Sequence, residues 1–78
     1  MAFKNRNMSV IAYANGFTLW HYKTMDSIKL LDEDIHYFAP ISTLMKTGDI
    51  IMINTGETTA MRCVANLKGD VVELGPLQ

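Results

Sequence analysis

Residues 37–54, reading YFAPISTLMKTGDIIMIN, constrain the fold of this chain more than any other segment, because every local signal in them agrees. Pro40 suits the first position of a helix, where its missing N–H costs nothing, and Ile41, Leu44 and Met45 recur at i, i+3 and i+4 along one face. Lys46 places a cation in the last turn, and Gly48 supplies the left-handed residue that commonly ends a helix. The spacing therefore predicts a helix that stops at about Thr47. Asp49 then turns the chain into Ile50-Ile51-Met52-Ile53, an apolar run too short for a core helix and bounded by turn residues. Such a run predicts a buried strand.

Upstream, residues 8–14 (MSVIAYA) and 17–23 (FTLWHYK) flank Asn15-Gly16, a strong two-residue hairpin signal. Between this hairpin and Tyr37, Thr24 or Asp26 can cap a short helix through Ser27, Ile28, Leu30 and Leu31, with Asp32, Glu33 and Asp34 as its polar exit. Downstream, the turn Thr55-Gly56-Glu57-Thr58 leads into TTAMRCVAN, and Lys68-Gly69-Asp70 leads into a last strand, VVEL, that ends at Gly75-Pro76. The predicted class is α+β, mainly β. It consists of a small antiparallel sheet or partial barrel, made of an N-terminal hairpin and a three-stranded meander, with one or two short helices. Residues 1–7 read as an extended arm and residues 8–78 as a single small domain.

The strands carry a further message. Phe17, Leu19 and His21 alternate with Thr18, Trp20 and Tyr22, and Ile51 and Ile53 alternate with Ile50 and Met52, so neither face of either strand is plainly polar. Strands that are apolar on both sides need cover on both sides. A chain of 78 residues with two short helices cannot supply two layers, so a second polypeptide is expected to supply the other. Composition agrees: 49% of residues are hydrophobic and only 19% charged, a low ratio for a small, surface-rich monomer. With one cysteine, Cys63, no internal disulfide can staple so small a domain.

Other function classes lose support on composition and spacing. A net charge of -1 offers no electrostatic case for nucleic acid or an anionic membrane. No apolar run reaches the ~18 residues of a membrane span. The start MAFKNRNMSV has no apolar signal core, so a soluble protein of a reducing compartment is expected. Asp32, Asp34 and His36 superficially resemble the start of a calcium loop, but Tyr37 and Thr43 stand where that loop requires Gly and Glu. His21, His36 and Cys63 have no partner at zinc-motif spacing, and Cys63 falls mid-strand among apolar neighbours, where an inert thiol is usual. No cofactor, metal or catalytic residue is expected, and the chain reads as a non-enzyme.

Aromatic residues on a small sheet can instead stack bases or bind sugars. Here a core on one side and a subunit interface on the other is the favoured reading, with Phe3, Phe17, Trp20 and Tyr22 as expected interface residues. The alternative is a small SH3-like or OB-like adaptor whose aromatic side chains grip a ligand.

The succession NGFTLWHYKTMD, a spacer, then YFAPISTLMKTGDIIMIN resembles a group of small structural proteins of tailed-bacteriophage virions. In that group a strand of the form LWxYxTxD is followed by YF, a short helix and LKxGDxI. The matching residues here are Leu19, Trp20, Tyr22, Thr24, Asp26, Tyr37, Phe38, Leu44, Lys46, Gly48, Asp49 and Ile51, and the likeness covers residues 15–54. Ile35-His36 stands where a small-residue turn often precedes the YF pair, and Pro40 is unusual for the group. The resemblance implies a structural piece of the virion, assembled in the host cytoplasm, such as a head-decoration, cement or fibre-base component. It also implies a homo-oligomer, trimer favoured, that meets a larger virion protein such as the major capsid protein. It transfers no functional site residue.

Overall fold

The computed structural model describes residues 7–14 and 16–76. Five strands form one sheet in the order β1 (Met8–Ala14), β2 (Phe17–Lys23), β3 (Ile50–Asn54), β4 (Thr59–Lys68) and β5 (Val71–Pro76). Both expected units are present. The hairpin pairs Met8 with Tyr22 and Ala14 with Phe17, and the meander runs antiparallel from β3 through β5. They join through a parallel pairing of β2 and β3, with Leu19 opposite Ile50 and Tyr22 opposite Ile53, so the sheet is mixed where the sequence reading has it antiparallel. The cause is the connection over residues 24–49. It contains two helical segments and carries the chain back to the end of the sheet where β2 began, and a strand starting there can only run alongside β2.

Both helical segments differ in detail from expectation. Helix α1 (Ile28–Glu33) is capped by Ser27, whose Oγ accepts from the Leu30 N–H at 3.1 Å, and not by Thr24 or Asp26. Those two side chains are buried and committed elsewhere. The second segment is a 3-10 helix (Ala39–Leu44) with Pro40 in its first turn and a non-helical break at Ile41. It ends three residues short of Thr47, because Met45 adopts extended backbone and drops its side chain into the core. Gly48 (φ +99°) therefore does not cap the helix. It forms the turn in which the Asp49 N–H reaches the Lys46 carbonyl, and its own N–H opens the β3–β4 ladder by donating to the Val64 carbonyl at 2.9 Å.

The core lies on one face of the sheet. Trp20 and Tyr22 of β2, Ile51 and Ile53 of β3, Val64 of β4 and Val72 of β5 pack there against Leu31 of α1, Tyr37, Phe38, Ile41 and Met45. Arg62, on the same face, binds Asp32 of α1 through Nε at 3.0 Å and Nη2 at 3.1 Å, which pins the helix over the meander. At the β5 edge the Val72 N–H donates to the Ile35 carbonyl, so a loop covers part of that edge. A bulge at Ala65, between Val64 and Asn66, shifts the alternation of β4, so that Asn66 joins Met61 and Cys63 on the far face. Gly75 is fixed by packing: a Cβ there would stand 3.0 Å from the Ala65 Cβ.

The contrast between a buried apolar position and an exposed one can be measured. Ile53→Ala, which empties a fully buried site, is expected to lower unfolding free energy by about 2–5 kcal/mol. Leu44→Ala, at an exposed position of the 3-10 helix, is expected to change it by less than about 0.5 kcal/mol. Urea denaturation followed by Trp20 emission checks both.

Candidate functional site

The twelve residues singled out between Leu19 and Ile51 do not spread over a surface; most of them converge inside the molecule. Asp49, 1% exposed, sits at the corner between the 3-10 helix and β3. Its Oδ1 accepts the Thr18 N–H at 3.1 Å, and its Oδ2 accepts Trp20 Nε1–H at 3.1 Å and the Lys46 N–H at 3.0 Å. Its main chain is engaged as well, since the carbonyl accepts the Val64 N–H at 2.8 Å. One residue thus ties together β2 and the turn before β3 through its carboxylate, and β4 through its carbonyl. The indole needs such a partner, because a buried Trp N–H without an acceptor costs the desolvation of that group.

A second network forms where β2 leaves the sheet. Tyr37 donates its hydroxyl proton to Asp26 Oδ2 at 2.6 Å. Having given up its one proton, the Tyr37 oxygen accepts from the Tyr22 hydroxyl at 3.0 Å and faces Thr24 Oγ1 at 3.4 Å. Thr24 Oγ1 in turn accepts the Asp26 N–H at 3.0 Å. The rings of Tyr22, Tyr37 and Phe38 meet edge to face at centroid distances of 5.1–6.0 Å. Burial, and then the bond to Asp26, hold the Tyr37 hydroxyl well above the ordinary tyrosine range. Among the described residues, no buried side-chain nitrogen or oxygen lacks a hydrogen-bond partner. These carboxylates and hydroxyls are saturated by one another and by main chain, so the networks act as joints.

The expected interface residues divide accordingly. Trp20 (7% exposed) and Tyr22 (0%) are core, so their placement at an interface is corrected: the helices lie on their side of the sheet. Phe3 and the side chain of Phe17 lie outside the described residues. Of the remaining candidates, His21 and Cys63 lie on the opposite face, two strands apart, and His36 stands in a turn with its Nε2 3.9 Å from Asp70. Among the described residues no group of three His, Cys, Asp or Glu side chains could hold a metal ion.

That opposite face is the feature left to explain. The pairing register places Leu19, Ile50, Cys63 and Gly75 in one row across β2–β5, and His21, Met52 and Met61 in the next. Their side chains are half-buried against one another. Among the described residues no helix covers them, because α1 and the 3-10 helix both contribute to the core on the other side. Ser9, Lys23, Asn54, Thr59, Asn66 and Glu73 surround the rows with polar groups. An apolar centre within a polar rim is the anatomy of a protein–protein interface. The alternation of apolar residues on β2 and β3 is the signal by which the sequence points to this face, but it does not say which side the helices take.

Comparison with protein-family models, with curated proteins and with solved structures finds no match to this chain.

Two measurements test the joints. Asp49→Asn keeps the size of the side chain but turns an amide N–H₂ toward N–H donors. It is expected to lower stability by about 2–4 kcal/mol and to alter Trp20 emission in the folded state. Tyr37 gives a pH signature. Its ionisation is raised in the folded chain, so the unfolded chain binds fewer protons once the pH passes the ordinary value of about 10. Its contribution to stability is complete below that pH and lost as the pH rises beyond it. Stability above pH ~10 is therefore expected to fall less steeply in Tyr37→Phe than in the native chain, which urea titrations across that range measure.

Proposed function

We propose that this chain is a non-enzymatic structural protein of a tailed-phage virion, one that decorates or cements the capsid through interfaces repeated around the particle. The observation that carries the reading is the apolar face of the sheet that none of the described helices covers. A subunit whose second layer is supplied by other subunits gains stability on assembly, and many modest contacts repeated by symmetry give a shell more strength than any one of them. The resemblance supplies the setting. Its residues Trp20, Tyr22, Thr24, Asp26, Tyr37, Phe38, Gly48 and Asp49 build the joints and turns that hold the scaffold, a role suited to a fold kept for its shape. In this reading the chain is made in the host cytoplasm and retained in the particle, with copies of itself and a larger capsid protein as partners.

The adaptor reading loses its main support, because Trp20 and Tyr22, the aromatics that would grip a ligand, are enclosed in the core. The test is quantitative mass spectrometry of gradient-purified particles from the virus that encodes the chain. The expected result is a copy number comparable to that of other capsid components. Abundance in infected cells with absence from purified particles would overturn the reading.

A further inference from the structure

We draw no further inference here: the strongest candidate, the half-buried apolar sheet face of Leu19, Ile50, Met52, Met61 and Cys63 with the exposed edge strand β1 beside it, carries none, because nothing in the structure shows what covers either surface.

Discussion

The rest of the structure depends on the three N–H bonds made to the Asp49 carboxylate. A mixed sheet poses a problem that a meander does not: β2 and β3 are neighbours in the sheet but are separated by residues 24–49, and nothing local sets their register. Asp49 solves it from one position. It stands immediately before β3, accepts the main-chain N–H of Thr18 and the indole N–H of Trp20 on β2, and holds Lys46 in the turn between them. A slip of β3 by one residue would carry the carboxylate away from both donors on β2 and would turn Ile51 and Ile53 out of the core. The Gly48-Asp49 pair, which looks like the kernel of an active site, is a register lock.

The second network does the corresponding work at the far end of β2. Asp26 and Thr24 hold the chain as it leaves the sheet, and Tyr37 holds it as it comes back, with Tyr22 beneath. Buried polar groups are costly unless fully bonded, and these are bonded. What they contribute is specificity of geometry in a chain too small to define its crossover by hydrophobic packing alone. They also give Tyr22, Thr24, Asp26 and Tyr37 a task within the fold. Each residue answers a demand of the fold.

The cost of this economy appears on the other side of the sheet. Both helical segments are spent on the core face, and the second face keeps Leu19, Ile50, Met52, Met61 and Cys63 with no layer of the described residues over them. Each is half-buried by its neighbours on the sheet, which reduces the penalty but does not remove it. The edges are unequal as well. β5 is screened at Ile35 and ends in Gly75-Pro76, whereas β1 exposes Val10, Ile11 and Tyr13, with a bulge after Val10 to break its regularity. The molecule's most exposed large apolar side chains, Val10, Ile11, Tyr13, Met25 and Leu44, lie outside the second face, which is broad but half-buried.

The sequence by itself determined the five strands, the two short helical segments between the second and third of them, and the apolar character of both faces of β2 and β3. These follow from local rules: alternation in residues 17–23 and 50–53, the turn residues Gly16, Gly56 and Gly69, and Pro40 at a helix start. Three things depended on tertiary structure. The pairing of β2 with β3 is parallel because of where the crossover ends, which no property of either strand encodes. The assignment of Trp20 and Tyr22 to the core, and of Leu19, Ile50 and Met52 to the open side, depended on which face the helices chose, since both faces of these strands are apolar. The role of Asp49 depended on a partner 29 residues away, and a carboxylate beside a glycine looks the same in sequence whether it turns a chain, binds a ligand or, as here, locks the register of a sheet.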